Sequence, residues 1–566
     1  MTQSGHSVLR IVAAQNDSRT PFRLSQIPAV IVDAIGVVLS LEEGDATTRF
    51  HSKELLIRRA HDRSRRVRSR LSKCGAVYGQ RCDHMNYIDA FLFQTRHQPM
   101  AAAVCAPGTH FNVVSYGRLE LFTANIAARA ASLGMKRGDV VAIFAKDPIL
   151  HLALILGLTR IGIVTLSIPS SMAPSEFSID AVITDTVVVF PNAKQIIHAD
   201  RQWTTGEGKW PARIPIDGET DEPARIVLTS GTTGNQKAVL LTHLDILKRL
   251  QAYSVAFGHE VSTCSRMFLD IGLTTSFGFT WTMYMLSRGG TVFYRGTDPA
   301  ETLQAFGLYD VECMVASPAG TAELLDYYER TPALRCPFRV MLASGSLLSN
   351  SLSERARARM CSNVVATYGA SEVSPVATAA AHRIAHMTGA VGFVVPWLSV
   401  EAVDDADSPC EPGQDGLIRI RGHTCVRGYY GNPAGSEKVF RNGWFYPGDI
   451  GMVTAERVLI ISARENAVLN IGGDKVSPET IERTLLGFPR VTHSVVFARA
   501  NDLGVDEPWA LVVASSNIEI DKLRGHCALS LPAHFVPVRI IQVSDIPRND
   551  MGRVNREQIA KMAASL

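Results

Sequence analysis

The chain has 566 residues, 46% of them hydrophobic and 20% charged, which excludes a disordered polypeptide and leaves length for two or more globular domains. Its ten cysteines are scattered, without a Cys-x-x-Cys pair or metal-ligand spacing, so neither a disulfide framework nor a zinc site is implied and a reducing, cytoplasmic setting is expected. The formal charge of +3 conceals an asymmetry: residues 1–84 carry 14 Lys and Arg against 8 Asp and Glu, and the rest carry 43 against 46.

Most of the basic excess lies in residues 58–70. No aromatic side chains interleave with it, so it reads as a solvated extension rather than a nucleic-acid arm, and no nucleic-acid partner is expected. At Met85 the texture changes. Residues 1–84 are expected to be a basic extension, poorly ordered or upstream of a native start at Met85. The most apolar long stretch, residues 152–168, is interrupted by Arg160 and reads as a buried helix followed by a strand, so no transmembrane segment is expected. The N-terminus shows no secretory signal pattern.

From about residue 115 amphipathic helices alternate with apolar strands: a helix over 116–133, a strand over 140–145, a helix over 151–159 and a strand over 163–168. That alternation predicts α/β layers with parallel strands. Thr242 is placed to cap a helix over 243–257, because its hydroxyl can accept an otherwise unpaired backbone N–H. A further helix is predicted over 276–286 and a strand over 291–294. Ser477 before Pro478 reads as an N-cap followed by proline at the first helical position. The last hundred residues read as a small α+β unit, with strands over 494–498, 509–514 and 539–543 and helices over 477–486, 520–529 and 556–564.

Between two apolar runs stands Thr229-Ser230-Gly231-Thr232-Thr233-Gly234-Asn235-Gln236-Lys237. Glycine lets backbone N–H groups approach an anion, the hydroxyls add donors, and Lys237 supplies a mobile positive charge, so the segment reads as a phosphate cradle. It is not the loop of the usual NTPases, which needs Gly immediately before Lys and Ser or Thr after it; here Gln236 and Ala238 flank Lys237.

The segment resembles the Thr-Ser-Gly-Thr-Thr-Gly-x-Pro-Lys-Gly signature of the adenylate-forming superfamily, with Gln236 for Pro and Ala238 for Gly. Further phrases similar to that superfamily follow in its order. They are Ala343-Ser344-Gly345-Ser346-Leu347, Tyr368-Gly369-Ala370-Ser371-Glu372, Gly448-Asp449, Ala463-Arg464-Glu465-Asn466, Gly472-Gly473-Asp474-Lys475 and Gly552-Arg553. The Tyr368–Glu372 set is coherent physically: an aromatic face to stack on adenine, a glycine for close approach, a hydroxyl for phosphate and a carboxylate for Mg²⁺.

The resemblance implies a large multi-layered α/β N-terminal domain with mixed and parallel sheets, over 85–465, and a small mobile α+β C-terminal domain, over 466–566, hinged near Asn466. It implies ATP, Mg²⁺ and coenzyme A as cofactors and co-substrates, and a carboxylic acid as substrate. Lys237, Glu372 and Arg553 are the implied catalytic residues. The implied ligand contacts are Thr229, Ser230, Gly231, Thr232, Thr233, Gly234, Lys237, Ser344, Gly345, Ser346, Tyr368, Gly369, Ser371, Asp449, Arg464 and Lys475, with Glu372 and Thr229 toward the metal. Two departures stand out. Arg553 replaces the usual lysine with a planar, bulkier cation, and residues 273–278 lack the histidine gate of many relatives. Trp281, Phe277, Ser317 and Ser346 are either pocket border or core. Three readings stay open: an acyl-CoA ligase, an adenylating enzyme that loads a separate phosphopantetheine carrier protein, and a nucleotide-binding protein with impaired adenylation.

Overall fold

The computed structural model describes residues 86–168, 178–187, 190, 193–206, 222–229, 237–464, 469–471, 474–501, 506–548, 554–555, 558–559 and 561–562. All of them belong to one compact unit, Gln80–Leu566. The expectations for residues 1–84, Ser230 to Gly234, Asn466 and Arg553 lie outside the described residues, and of Lys475 only the backbone is described.

One sheet is built from β1 (Val140–Phe144), β2 (Val164–Ser167), β3 (Ala181–Thr184), β4 (Ile196–His198), β5 (Pro223–Thr229) and β6 (Lys237–Thr242), in the order β4-β3-β1-β2-β5-β6. Every neighbouring pair is parallel except β5 and β6. Helix α1 (Pro148–Thr159) makes the crossover from β1 to β2, and its residues from Ile149 to Thr159 are all buried. A helix apolar on every side is stable only when packed on every side. It begins three residues before the predicted start because the Asp147 carboxylate accepts from the N–H groups of Ile149 (2.8 Å) and Leu150 (3.1 Å), with Pro148 preset for the first turn.

Helix α2 (His243–Val261) starts at the predicted Thr242. The Thr242 hydroxyl accepts from Asp245 N (3.1 Å), and the Asp245 carboxylate accepts from Thr242 N (3.0 Å), a reciprocal cap that makes the chain turn sharply as it leaves β6. Helix α3 (Ser276–Ser287) packs on α2 through rings: Trp281 lies 4.9 Å from Tyr253 and 5.1 Å from Phe257 of α2, and 5.3 Å from Tyr284 on its own helix. Of the two readings for Trp281, core is the one its full burial fits. Ser317 likewise caps a helix, accepting from Gly320 N (3.0 Å).

The second sheet has 15 strands among the described residues. Its centre is parallel: β7 (Val340–Ala343) lies between Cys313–Ala316 and β8 (Val364–Ala370), and Arg266–Leu269 follows on the far side. Beyond β8 the sheet turns antiparallel through β9 (Ser374–Ala380), and it later includes the hairpin of β10 (Asp449–Val453) and β11 (Val458–Arg464). From residue 469 onward the chain builds a core of its own. Helix α4 (Pro478–Leu486) packs Ile481 and Leu485 with Val496, Ala510 and Val512 of β12 (Val491–Ala500) and β13 (Asp506–Ala514), and β14 (Arg539–Gln542) joins β13 in parallel. Ser477 holds the predicted N-cap position, but its hydroxyl bonds the Glu479 carboxylate rather than a backbone N–H. No helix among the described residues is long and apolar enough to cross a membrane.

The two large sheets meet over buried polar groups. Arg225 of β5, fully buried, donates to Ser167 Oγ (2.8 Å) and to the carbonyl of Leu273 (2.6 Å), and its guanidinium lies 4.2 Å from the centre of the Phe279 ring. Ser167 in turn meets His151 Nε2 at 2.7 Å. Burial, then the neighbouring Arg225 charge, lower the His151 pKa to about 3. A histidine held neutral in the fold but free to protonate near 6.5 when unfolded binds fewer protons in the native state, so stability falls as pH falls through that window. Unfolding free energy should therefore drop between pH 6.5 and 5 with a slope contribution of at most about 1.4 kcal/mol per pH unit. Urea titrations of the wild type and of His151→Gln will show it, the substitution being expected to flatten the slope.

Candidate active site

Side chains from both sheets converge at the C-terminal ends of parallel strands, where open α/β sheets bind ligands. Thr229 ends β5 and Lys237 opens β6, so the described ends of the phosphate loop leave this edge side by side, paired in register. On the larger sheet, β7 delivers Ser344, Gly345 and Ser346 directly beyond Ala343, which pairs with Ala366 of β8. Ser344 is buried, Ser346 exposed, and Gly345 has a φ of 100°.

Tyr368 lies within β8, which runs on to Ala370 and doubles back into β9. The register shifts between Tyr368 and Gly369. A Cβ on Gly369 would stand 2.4 Å from the carbonyl oxygen of Ser374, so only glycine closes this hairpin. The closure presents Tyr368, Ser371 and Glu372 together.

Asp449 is 1% exposed. Gly448, at φ 78°, turns the chain so that Asp449 opens β10 directly opposite Arg464, the last residue of β11. Arg464 Nε lies 2.9 Å from Asp449 Oδ1, and the Tyr368 hydroxyl donates to Oδ2. Burial, then the adjacent carboxylate, hold the Tyr368 phenol well above its ordinary pKa, so it remains a donor. Each carboxylate oxygen keeps a further lone pair, leaving two adjacent acceptors in a fixed orientation.

Glu372 is also buried, and its Oε1 accepts from the Tyr429 hydroxyl at 2.7 Å. Its other oxygen has no protein partner among the described residues. The Tyr429 ring carries the Lys237 ammonium 4.9 Å from its centre. Arg249 of α2, fully buried, donates to Ser276 Oγ (3.0 Å) and to the carbonyl of Ser371 (2.8 Å), tying the start of α3 to the Glu372 turn. Among the described residues no three His, Cys, Asp or Glu side chains gather into a metal cage. One carboxylate oxygen suffices for Mg²⁺, which takes most of its ligands from phosphate and water.

Of the sequence-predicted residues, the fold brings together Tyr368, Asp449 and Arg464 in one bonded group and Lys237 and Glu372 in a second, with Thr229, Ser344, Gly369 and Ser371 on adjoining strand ends. Tyr429 and Arg249 were missed. Tyr429 sits in the glycine-led phrase Val426-Arg427-Gly428-Tyr429-Tyr430, where nothing separates it from its neighbour Tyr430. Arg249 is one of several cations on a helix.

The description of the AMP-binding enzyme family matches residues 91–430. The 2-succinylbenzoate–CoA ligase of Bacillus licheniformis is 27% identical over 466 residues, covering 76% of this chain and 91% of that protein. The 3-hydroxybenzoate–CoA/4-hydroxybenzoate–CoA ligase of Thauera aromatica is 26% identical over 526 residues, covering 84% and 97%. Among solved structures, the O-succinylbenzoate coenzyme A synthetase of Bacillus subtilis with AMP superposes at a TM-score of 0.71 and 20% identity, covering 84% of this chain and 98% of that one. An anthranilate CoA ligase with anthranoyl-AMP superposes at 0.74 and 18% identity, covering 85% and 98%.

Removing the Tyr368 hydroxyl takes one of two donors from a buried carboxylate. Tyr368→Phe is expected to lower unfolding free energy by about 1–3 kcal/mol. Urea denaturation measures it, and an unchanged midpoint would mean that Asp449 finds another donor.

Proposed function

The chain belongs to the AMP-binding enzyme family, and from that premise we propose that it is an ATP-dependent acid–thiol ligase that forms a coenzyme A thioester through an acyl-adenylate. A carboxylate oxygen of the acid attacks the α-phosphorus of ATP and pyrophosphate leaves. The sulfur of coenzyme A then attacks the acyl carbon and AMP leaves. The observation that carries this reading is the buried Asp449 carboxylate, held by Tyr368 and Arg464 beside a second group in which Glu372 and Lys237 share one tyrosine.

In this reading the two free acceptor positions of Asp449 take the ribose hydroxyls and Tyr368 lends its ring to adenine. Ser344, Gly345, Ser346, Gly369 and Ser371 line the nucleotide, and Arg464 orients Asp449. Thr229 to Lys237 receive the phosphates, with Thr229 and Glu372 toward the metal; Arg553 and Lys475 act from the last hundred residues. Mg²⁺, when bound, neutralises charge on the phosphate oxygens. Lys237 adds a mobile cation where pyrophosphate departs, and preorganised donors at that position stabilise charge as it develops.

We also assign the substrate to compact acids, aromatic or short, rather than long chains. Behind the Glu372 turn, α3 offers the half-buried Phe277, and the space beyond it is filled by Tyr253, Phe257 and Trp281. Relatives of similar identity include ligases named for aromatic acids and one of Mycobacterium tuberculosis named for long-chain fatty acids, so the packing of α3 alone carries this assignment.

The test is ATP–pyrophosphate exchange with Mg²⁺ over short, aromatic and long-chain acids, followed by thioester formation with coenzyme A. Exchange is expected with compact acids, and Asp449→Asn should reduce it by about 10–100-fold by removing charge from the acceptor. ATP binding without exchange for any acid would instead favour a nucleotide-binding protein.

A further inference from the structure

Two opposite charges, Lys237 and the buried Glu372, meet the same side chain, Tyr429, rather than each other. Among the described residues neither Lys237 nor Glu372 makes an ion pair, although one side chain touches both. The Tyr429 hydroxyl donates to Glu372 Oε1 at 2.7 Å, and the Lys237 ammonium lies 4.9 Å from the centre of the same ring. A phenol that donates to a carboxylate gains electron density on its ring, which strengthens the contact of that ring with a cation, so the two interactions support each other.

Tyr429 is itself held from every side. Its N–H donates to Ser436 Oγ (2.8 Å), that hydroxyl donates to the Asn432 carbonyl (2.7 Å), and Phe440 packs against the ring edge with centres 5.5 Å apart. The segment around it is stitched to both halves of the site: Val426 N–H donates to the Glu372 carbonyl and Tyr430 N–H to the Ala238 carbonyl, each at 2.8 Å. The ring therefore cannot drift with either charge.

We infer that Tyr429 is a positioning residue that holds Lys237 and Glu372 apart and aims them, the ammonium toward phosphate and the carboxylate toward Mg²⁺. This rests on the functional reading above, which gives Glu372 its metal. Without the hydroxyl, Glu372 loses its orienting donor while the spacer remains; without the ring as well, ammonium and carboxylate are free to close on each other and withdraw from the ligand.

The experiment measures ATP binding by calorimetry with Mg²⁺ and with EDTA, in the full chain, for wild type, Tyr429→Phe and Tyr429→Leu, with thermal melts as the folding control. Wild type should bind more tightly with Mg²⁺. Tyr429→Phe should lose about tenfold or more of that metal-dependent gain, the worth of one hydrogen bond to a charged group, while binding in EDTA changes little. Tyr429→Leu should weaken binding in EDTA as well, because Lys237 then turns to Glu372. A Tyr429→Phe protein that keeps the whole Mg²⁺ gain overturns the inference. A wild-type protein with no Mg²⁺ gain overturns the metal role of Glu372, and the inference falls with it. Glu372→Gln alone and combined with Tyr429→Phe gives the second arm: the hydroxyl acts through Glu372, so the double variant should bind MgATP no worse than Glu372→Gln. An additional loss would again refute it, and this pair also serves if Tyr429→Phe alone does not fold.

Discussion

The site depends on two backbone hydrogen bonds that join sheets sharing no strand. Tyr430 reaches the Ala238 carbonyl beside the phosphate loop, and Val426 reaches the Glu372 carbonyl at the turn after β8, both at 2.8 Å. Each sheet is complete as a hydrogen-bonded ladder and would not by itself set its loop ends against the other's. The short segment between those two bonds does so, and it carries Tyr429 into the gap. Relative placement of the strand ends at Thr229 and Lys237 and of the Glu372 turn is thus set by main-chain groups, which vary less in direction than long side chains do.

Behind this seam the fold accepts a cost. Arg225 and Arg249 are fully buried, and neither makes an ion pair among the described residues; burial pulls the Arg225 pKa down to about 10 and lowers that of Arg249. A buried charge without a counter-charge is unfavourable unless its donors are satisfied by dipoles. Hydroxyls, the carbonyls of Leu273 and Ser371 and the face of Phe279 meet the terminal nitrogens, while the Nε of each guanidinium is buried without a hydrogen-bond partner among the described residues. Both carbonyls belong to loops at the site edge, so the two guanidiniums hold those loops while leaving Glu372 free of a direct cation.

Legibility in the sequence follows the distance over which each feature is decided. Thr242 and its helix, the proline-led start at Ser477 and the strand Thr291–Tyr294 are decided by a few adjacent residues, and they emerge from local pattern alone. The early start of α1 is likewise local, set by Asp147 as cap and Pro148 at the first helical position. Register is different. Nothing near Asp449 announces Arg464 as its cross-strand partner, and nothing near Tyr429 announces Glu372, 57 positions away. Trp281 shows the converse: an apolar residue at helical spacing suits a pocket wall and a core equally, and only the rings of the neighbouring helix decide for the core.

The state of Asp449 has a consequence for how a ligand meets it. Its water is removed and its orientation set by Tyr368 and Arg464 when the chain folds, not when a ligand arrives. A pair of hydroxyls docking there need neither dehydrate a mobile carboxylate nor order it. In the proposed reading the unfavourable part of that recognition is borne by the stability of the β10–β11 hairpin, which would make selectivity for a vicinal diol rigid and geometric.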